Sequence, residues 1–346
     1  MDPRRRSRLG ASGVEVTAIG LGGTGLGNIY TAVEEQEALA TVAAAHDAGI
    51  RYFDTAPAYG SGLSELRLGR ALADLPRDQL VIGTKVGYDL VPQDPGEQST
   101  LGFADGLPFR AVTDFSRAAV ERSLEQSLER LGVDRIDVVY IHDPDEGVSM
   151  DRGRDPYERS HFEQAMAEAY PLLDRLRAEG TIGAIGVGMN GWRMLEDFAR
   201  AGEFDCFLLA NRYTLLEQEA LATFLPLCVE RGVSVIAGGP FNSGILATGA
   251  VAGARYDYQP AGPEILARVR RLETVAAAHA VPLAAAALQF PLGHPAVVSV
   301  IPGARSPAEL DQNCALVAHP IPAAFWAELR DRSLIDPAAP LPTEDR

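Results

Sequence analysis

The chain has 346 residues, with 31 Lys and Arg against 47 Asp and Glu, and a formal net charge of −16. Hydrophobic residues make up 47% and charged residues 23%, an ordinary globular composition that argues against disorder. The acidic balance disfavours nucleic-acid binding, which depends on clustered Lys and Arg. No apolar run approaches the roughly 20 residues that span a bilayer. The length fits two domains or one large α/β barrel.

The cysteines and the N-terminal segment bear on the compartment. Cys206, Cys228 and Cys314 are far apart and odd in number, which indicates a reducing environment and neither a disulfide framework nor a cysteine-based zinc site. Because no histidine pair has metal-ligand spacing, we expect no metal. The basic segment from Met1 to Ser7 has no apolar stretch behind it, so it is not a secretory signal. We expect a cytoplasmic protein, and both a monomer and a small homo-oligomer remain open.

Short apolar runs recur along the chain, and a helical pattern follows each of them. Their Val and Ile content, without polar alternation, suits a parallel sheet that is buried on both faces. Eight such strands at this length predict a (β/α)8 TIM barrel, a single domain over residues 1–346, rather than two domains. The predicted strands are Val16–Gly22, Arg51–Asp54, Leu80–Lys85, Ile136–His142, Ile182–Gly188, Cys206–Asn211, Val233–Ala237 and Val297–Ile301.

Two helices have clear sequence boundaries, and three connections are unusually long. One helix begins at Thr113 or Asp114 and ends at Gly132, and another has Pro263 in its first turn. In a barrel, the connections that follow the strands gather on the active-site face, where long loops shape a pocket or lid. The long connections run from Val86 to Val112, from Asp143 to Phe162 and from Gly238 to Gly262.

A glycine-rich turn follows the first predicted strand. Residues 20–25, Gly-Leu-Gly-Gly-Thr-Gly, match the G-x-G-x-x-G pattern of a Rossmann pyrophosphate turn. In a Rossmann unit the helix begins directly at this turn, whereas Gly27, Asn28 and Tyr30 delay it here to about Val33. We therefore favour a close-approach turn at the mouth of a barrel.

Four residues with acid–base chemistry lie at or just beyond successive strand ends. Asp54 and Tyr59 follow the second predicted strand, Lys85 ends the third and His142 ends the fourth. In a barrel these positions converge on one cleft. A phenol with a pKa of about 10 is a poor proton carrier at neutral pH, and a Lys ammonium held by a carboxylate would favour tyrosinate. Alone, the Lys could be a solvated charge and the His a core residue, but the four together predict an active site.

These residues, in this order and spacing, resemble the aldo-keto reductase superfamily. The resemblance covers essentially the whole chain, from the Gly22-Gly23-Thr24 turn to the Ile301-Pro302-Gly303 segment. It implies a (β/α)8 barrel that binds NAD(P)H across its mouth, without a Rossmann domain or a metal. It further implies that Tyr59 is the general acid or base, that Lys85 and Asp54 tune it, and that His142 orients the substrate oxygen. Hydride would pass between the nicotinamide and the substrate carbon.

The resemblance also implies a set of cofactor contacts, and some of its usual residues are replaced. Asn190 stands one position away from the usual carboxamide-binding Asn, and the usual Gln of the sixth strand is replaced within residues 209–213. Gly238 replaces the usual stacking Tyr, so Phe241 or a neighbouring ring must cover the nicotinamide. The implied cofactor residues are Gly22, Gly23, Thr24, Asn190, Gly238, Pro240, Phe241, Asn242, Ser243, Gly244, Gly303, Arg305, Ser306, Glu309, Gln312 and Asn313.

The charge near the last predicted strand bears on the choice of cofactor. Superfamily members that use NADP typically place a Lys and an Arg where this chain has Gly303 and Glu309. A carboxylate repels the 2′-phosphate of NADP and can instead accept hydrogen bonds from ribose hydroxyls. We expect NAD to be preferred, with NADP possible because Arg305 can reach a phosphate. For Ser306, a helix-capping role is an equal alternative.

The departures resemble the branch that contains sugar 1-dehydrogenases, which act on L-fucose, D-threo-aldoses or L-galactose, and pyridoxal 4-dehydrogenase. The segments that carry this resemblance include 28–30, 62–65, 142–145 and 238–241. It implies oxidation of the anomeric hydroxyl of a free aldose to a lactone. Asp143, Asp145 and Glu146 either accept hydrogen bonds from such a substrate or form a solvated acidic loop.

Two other functions stay open. An aromatic aldehyde such as pyridoxal would suit an apolar pocket, which four rings in or near the first long connection could line: Tyr88, Phe103, Phe109 and Phe115. Some barrels of this superfamily are cofactor-sensing regulatory subunits of membrane channels. Nothing in the chain resembles the partner-binding extension that such a role would need.

Overall fold

The structure is a computed structural model that describes residues 1–94, 102–148 and 154–343. In chain order the strands are β1 (Arg6–Arg8), β2 (Glu15–Thr17), β3 (Leu21–Gly22), β4 (Tyr52–Asp54), β5 (Val81–Val86), β6 (Tyr88–Pro92), β7 (Phe109–Thr113), β8 (Ile136–His142), β9 (Ile182–Met189), β10 (Cys206–Ala210), β11 (Ser234–Gly238), β12 (Arg255–Tyr256), β13 (Gln259–Pro260) and β14 (Val297–Ile301).

Eight of these strands form one parallel sheet that closes into a barrel. Their order is β3, β4, β5, β8, β9, β10, β11 and β14. The sheet closes where Ile19 and Gly22 form parallel bridges with Val300 and Gly303, and the Gly20 N–H donates to the Val300 carbonyl at 2.9 Å. The predicted (β/α)8 barrel is therefore confirmed.

Helices surround the barrel because the connections between parallel strands must cross over its outer face. They are α1 (Glu35–Asp47), α2 (Leu63–Leu72), α3 (Arg117–Leu131), α4 (Phe162–Gln164), α5 (Tyr170–Ala178), α6 (Trp192–Ala201), α7 (Phe224–Arg231), α8 (Ile245–Thr248), α9 (Pro263–Ala278), α10 (Leu283–Leu292), α11 (Pro307–Ala318) and α12 (Ala323–Asp331). Within the described ranges no single helix is both long and apolar enough to span a membrane; only α9 and α10 together, bent by 99°, reach that length and composition.

The N-terminal end of the barrel is covered by the antiparallel hairpin of β1 and β2. The Gly10 N–H in its turn donates to Ser234 Oγ at the start of β11, at 2.9 Å. Leu9 is fully buried in the same hydrophobic cluster as Val138, Ala184 and Ile236 of the barrel strands. The hairpin thus seals this end, and the opposite end remains for a ligand.

All predicted strands except the first are found within one residue at either end. The prediction of one strand over Val16–Gly22 is wrong, because the segment divides into two strands. β2 pairs with β1 in the N-terminal hairpin, and β3 pairs with β4 in the barrel. Thr17 causes the break: its Oγ1 donates to the Ile19 carbonyl at 2.7 Å and accepts the Arg51 N–H at 3.2 Å. These side-chain bonds replace strand pairing.

The helix predicted from Thr113 or Asp114 begins later, at Arg117. Thr113 ends β7 instead, and Ser116 caps the helix by accepting the Ala119 N–H on its side chain at 3.4 Å. The predicted end is confirmed, since Gly132 adopts the left-handed conformation with a φ of 65°. Helix α9 begins at Pro263, as predicted.

The long connections carry small sheets of their own. The first holds the antiparallel pair β6 and β7, and the third holds the ribbon of β12 and β13. Residues 95–101 of the first connection and 149–153 of the second lie outside the described residues. The glycine-rich turn at 20–25 is followed by a helix only at Glu35. The Rossmann alternative is therefore excluded by the barrel.

Candidate active site

The four predicted catalytic residues meet at the C-terminal end of the barrel. Asp54 and His142 are the last residues of β4 and β8, Lys85 lies near the end of β5, and Tyr59 lies in the turn before α2. Lys85 Nζ donates to Asp54 Oδ2 and to the Thr55 carbonyl, each at 2.7 Å. Nζ also lies 4.6 Å from the centroid of the Tyr59 ring. The His142 ring stands edge-on to the Tyr59 ring, with 5.7 Å between centroids.

Burial controls the protonation of this group. Asp54 and Lys85 are 2% and 1% exposed, and burial raises the pKa of Asp54 while the Lys85 ammonium opposes that rise. Burial raises the pKa of Tyr59 well above its ordinary value, and the carboxylates of Asp54 and Asp143 add to this. Burial and these two carboxylates favour the phenol form of Tyr59, and the Lys85 ammonium over its ring is the positive charge that opposes them.

His142 is neutral in this site. Burial lowers its pKa well below the ordinary value, and the nearby Lys85 ammonium lowers it further. A neutral imidazole carries one N–H donor, the form that can hydrogen-bond a carbonyl or hydroxyl oxygen. Its Nδ1 is buried without a hydrogen-bond partner among the described residues.

Two predicted aromatic residues line the cleft, and two lie elsewhere. The ring of Phe103 is 5.8 Å from that of Tyr59, and the Tyr88 ring packs edge-on against His142 at 5.3 Å. Phe109 begins β7, half-buried, at the far end of that strand from Thr113. Phe115 is fully buried and contacts His161 at 5.4 Å between ring centroids. One wall of the cleft is therefore aromatic.

Asp143, the next residue after His142, forms the acidic side of the same cleft. Its Oδ2 lies 3.7 Å from His142 Nε2, and its side chain keeps 22% of its exposure. Burial raises the pKa of Asp143 to about 8, with Asp145 adding to the rise and Lys85 opposing it. Glu146, in contrast, accepts from His161 Nε2 at 2.8 Å and, within the described residues, forms no hydrogen bond or ion pair with the four predicted catalytic residues.

The predicted glycines at the barrel seam allow close packing of the backbone. A Cβ on Gly22 would lie 2.9 Å from the Ile301 carbonyl oxygen, and one on Gly23 would lie 2.6 Å from that of Asp54. Gly22 thus allows close packing at the seam with β14, and Gly23 allows it where the turn packs against the end of β4. Gly303 differs, since a Cβ there would meet only Thr24 Oγ1 at 3.5 Å and the Gly22 oxygen at 3.8 Å.

The residues around the start of α11 hold one another. Ser306 caps the helix by accepting the Glu309 N–H at 3.2 Å, so the capping alternative is confirmed. Glu309 Oε2 accepts the Arg305 backbone N–H at 2.9 Å, and Arg305 Nη1 donates to Thr31 Oγ1 at 3.2 Å. Asn313 Nδ2 donates to the Gly303 carbonyl at 3.4 Å, while Gln312 is exposed.

The segment after β11 is held largely by its own polar side chains. Asn242 is fully buried, accepts from Thr214 Oγ1 at 2.5 Å and donates to the Asn211 carbonyl at 3.0 Å. Its side chain therefore shapes the loop. Ser243 Oγ accepts the Tyr258 N–H at 2.9 Å. Among the other predicted residues here, Gly238 ends β11, Pro240 is buried, Phe241 packs against the main core, and Gly244 has a φ of 102°.

Two residues of the site were missed by sequence reasoning. Asn211, just after β10, donates from Nδ2 to the hydroxyl of Tyr258 at 3.0 Å. Tyr258 lies at the tip of the β12–β13 ribbon and also faces the side chain of Asn190 and the carboxyl of Asp143. A first polar residue after a barrel strand could have indicated Asn211. No sequence pattern predicted that Tyr258 belongs to the site, because it reaches the cleft only where the β12–β13 ribbon folds back over the mouth of the barrel.

These side chains fit a nicotinamide cofactor. Asn190 and Asn211 place two amides at the ends of adjacent strands, and an amide complements a carboxamide in both donor and acceptor. The Asn211 Oδ1 atom is buried without a partner among the described residues, so it accepts nothing in its present position. The same parts of the chain contain no group of three or more His, Cys, Asp or Glu that could hold a metal.

Comparison with known proteins gives one consistent result. Residues 18–333 match the profile described as the Aldo/keto reductase family. The chain is 41% identical over 330 residues to D-threo-aldose 1-dehydrogenase of a Pseudomonas species, covering 94% of this chain and 96% of that protein. It is also 41% identical over 336 residues to pyridoxal 4-dehydrogenase of Microbacterium luteolum, covering 94% and 97%.

A solved structure agrees on the fold. The aldo-keto reductase AKR11C1 from Bacillus halodurans, in its holo form, superposes with a TM-score of 0.73 at 24% sequence identity. The match covers 99% of each chain. Over nearly its whole length, the chain thus shares the fold of this barrel.

Proposed function

Because the chain belongs to the aldo/keto reductase family and is an NAD(P)-dependent oxidoreductase, we propose that it oxidises the anomeric hydroxyl of a free aldose to a lactone. The observation that carries the proposal is the pairing of a buried Tyr59–Lys85–Asp54–His142 group with an acidic side of the cleft at Asp143. The group around Tyr59 removes a proton from a hydroxyl, and the Asp143 carboxyl suits a polyhydroxylated substrate. The sugars expected are of the L-fucose, D-arabinose and L-galactose type.

The residues of the chain have distinct tasks in this reaction. His142 donates its N–H to the anomeric oxygen and orients it toward Tyr59. The Tyr59 oxygen receives the hydroxyl proton, for which it must be ionised, and Lys85 supplies the positive charge that favours ionisation. Asp54 holds Lys85 at 2.7 Å and so fixes where that charge lies. In the reverse direction the neutral Tyr59 phenol donates the proton to a carbonyl oxygen.

We infer that a nicotinamide cofactor is held by Asn190 and Asn211 at its carboxamide and by the start of α11 at its adenosine half. When bound, the cofactor accepts the hydride that leaves the anomeric carbon. Gly303, where a Cβ has room, and the capped end of α11 lie beside the barrel seam. The other cofactor contacts named from the sequence remain predictions.

We further propose that NAD is preferred over NADP. Glu309 occupies the position expected to bind the 2′-phosphate, and Arg305 is already paired with it at 3.3 Å. A phosphate would have to compete with that carboxylate for the guanidinium. A cytoplasmic location remains the proposal, in keeping with the free thiols of Cys206, Cys228 and Cys314.

A second candidate substrate is pyridoxal, favoured by the aromatic wall of Phe103 and Tyr88 beside the catalytic residues. Pyridoxal carries a hydroxymethyl group next to its aldehyde and can close to a cyclic hemiacetal. Its oxidation to a lactone would then be the same chemistry as the oxidation of an aldose. An aromatic ring in this cleft would stack on the wall.

The proposal is tested with purified protein, NAD and a panel of aldoses, with pyridoxal in parallel. We expect NADH formation with at least one aldose of the named type, followed by absorbance at 340 nm. A panel without any sugar-dependent NADH formation would show the proposal to be wrong. Turnover of pyridoxal alone would assign the second candidate instead.

The role of Tyr59 is tested by Tyr59→Phe, which keeps the ring and removes the hydroxyl. We expect kcat/KM to fall by on the order of 10³-fold or more, because general acid–base catalysis contributes roughly 10² to 10⁴. The dissociation constant for NAD should stay within about threefold, since the ring over Lys85 remains. Near-full activity of the variant would remove Tyr59 from the proton-transfer role.

A further inference from the structure

Asp143 is held in an unusual conformation within the cleft. Its φ is 42°, in the left-handed region that residues other than Gly, Asn and Asp rarely adopt. Two backbone hydrogen bonds stabilise it: the Asp143 N–H donates to the Gly188 carbonyl at 3.0 Å, and the Glu146 N–H donates to the Asp143 carbonyl at 2.8 Å. These backbone bonds fix the direction of the Asp143 side chain, and the unusual conformation costs part of the free energy of folding.

The carboxyl of Asp143 lies beside His142 at one side of the cleft. Its charge raises the pKa values of Tyr59, Tyr88 and Tyr258, three tyrosines around the same cleft. Its approach to His142 Nε2 is 3.7 Å, too long for a hydrogen bond. Among the described residues, no side chain or backbone group donates a hydrogen bond to this carboxyl. With 22% of the side chain exposed, water can reach the carboxyl, and a ligand hydroxyl can replace that water as the donor.

We infer that the Asp143 carboxyl binds the hydroxyl on the carbon next to the one that reacts, which in an aldose is the 2-hydroxyl. The inference rests on the proposed function, and it defines the substrate class more narrowly. His142 Nε2 holds the reacting oxygen, and the Asp143 oxygen lies beside that nitrogen. Oxygens on neighbouring carbons can therefore face the two residues together, and a substrate with a single oxygen cannot.

The selectivity follows from this contact. A site built to bind a hydroxyl rejects the analogue that lacks it, because its polar group is then left unpaired. A hydrogen bond from a sugar hydroxyl to this carboxyl contributes enough binding free energy for a preference in kcat/KM on the order of 100-fold. The contact does not depend on the cofactor, so NAD binding should be unaffected by loss of the carboxyl.

The test combines two substrates with four proteins. The substrates are the aldose that turns over best and its 2-deoxy analogue, and the proteins are the wild type, Asp143→Gly and Glu146→Gln, with Asp143→Asn added as a fourth protein for partial rescue. Glycine adopts a positive φ without strain, so it removes the carboxyl and leaves the backbone intact. Glu146→Gln removes a charge from the same loop at a position that contacts His161 and Arg159.

We expect the wild type and Glu146→Gln to prefer the 2-hydroxylated sugar by on the order of 100-fold in kcat/KM. In Asp143→Gly this preference should collapse to about threefold or less, through loss of activity on the hydroxylated sugar alone. The dissociation constant for NAD, from titration of the intrinsic fluorescence, should match that of the wild type. Asp143→Asn, which keeps one acceptor oxygen, should restore part of the preference.

Three results would overturn the inference, and they differ in what they say of the proposed function. Equal loss of both substrates in Asp143→Gly, or an unchanged preference, would show that Asp143 does not contact the 2-hydroxyl, while aldose oxidation would stand. A wild-type protein that oxidises no aldose would refute the proposed function and this contact together.

Discussion

Arg305 and Glu309 form the charge pair on which the proposed choice of cofactor rests. Both side chains are nearly half exposed, and Glu309 accepts from the backbone N–H and the guanidinium of Arg305. A 2′-phosphate near this pair would meet a cation whose charge is already compensated. The proposed preference for NAD would therefore depend on one residue that is four positions from the cation.

This dependence is tested by Glu309→Gln. We expect the ratio of kcat/KM for NADP to that for NAD to rise by about two- to fivefold, because a charge contact between exposed groups is worth roughly 0.5–1 kcal/mol. Steady-state kinetics with both cofactors measures the ratio. The double variant Glu309→Gln with Arg305→Ala is the control, and it should lose the gain. A gain that persists without Arg305 would contradict the explanation.

The predicted site residues at or just beyond strand ends could be identified from the sequence, and a residue that reaches the site from a distant ribbon could not. Asp54, Lys85 and His142 are predictable because parallel strands end on one face of a barrel. Tyr258 depends instead on a ribbon whose position is set by contacts with Asn211 and Ser243. Such contacts join parts of the chain that are distant in sequence, and no local pattern records them.

The β12–β13 ribbon is the element that completes the mouth of the barrel. Its turn residues, Asp257 and Tyr258, both have positive φ values, 47° and 64°, although neither is Gly. A two-residue hairpin turn requires this conformation and normally uses Asn-Gly. The strain is offset by the ion pair between Arg212 Nη1 and Asp257 Oδ1 at 2.6 Å, with both side chains about nine-tenths buried.

We therefore expect Arg212→Met to loosen the ribbon without unfolding the barrel. Loss of one partner of a buried ion pair is destabilising by roughly 3–5 kcal/mol, and here the effect falls on a two-stranded element. Hydrogen–deuterium exchange should increase over residues 254–261, and KM for the sugar should rise. Peptides from β8 and β9 provide the internal reference. Unchanged exchange in the ribbon would show that the ion pair does not hold it.

At the level of elements, sequence periodicity located the strands and helices but not every boundary. The boundaries that differ are those set by single polar side chains: Thr17 divides the first predicted strand, and Ser116 sets the start of α3. Each forms a hydrogen bond with the backbone that competes with regular structure. Whether a Thr or Ser does so depends on its neighbours in space, so the sequence pattern alone leaves it open.

The stability of the whole molecule should depend on pH through two adjacent residues. The folded state raises the pKa of Asp143 to about 8, so it binds a proton more tightly than the unfolded chain, and stability falls as pH rises toward 8. For His142 the folded pKa is lowered, so stability is lost as pH falls below about 6.5. Between about pH 6.5 and 8, the loss of stability caused by Asp143 should therefore be larger than any change caused by His142.

We expect the Tm of the wild type to decrease from pH 6.5 to 8, and that of Asp143→Asn to change much less. Asparagine tolerates the left-handed conformation and has no titrating group. The slope can reach about 1.4 kcal/mol per pH unit, and water at the exposed edge of the carboxyl reduces it. Thermal denaturation followed by circular dichroism measures both proteins. Equal slopes would assign the pH dependence to other groups.

The seam of the barrel has a consequence for how the chain is made. Ile19 and Gly22 pair with Val300 and Gly303, so the first barrel strand gains its second neighbour only after almost the whole chain has left the ribosome. Until then, the edges of β3 and β14 carry unpaired backbone groups that can pair with another chain. Contacts this distant in sequence form slowly. During synthesis, aggregation through these open edges should compete with closure, and helper proteins that shield strand edges should raise the yield of folded enzyme.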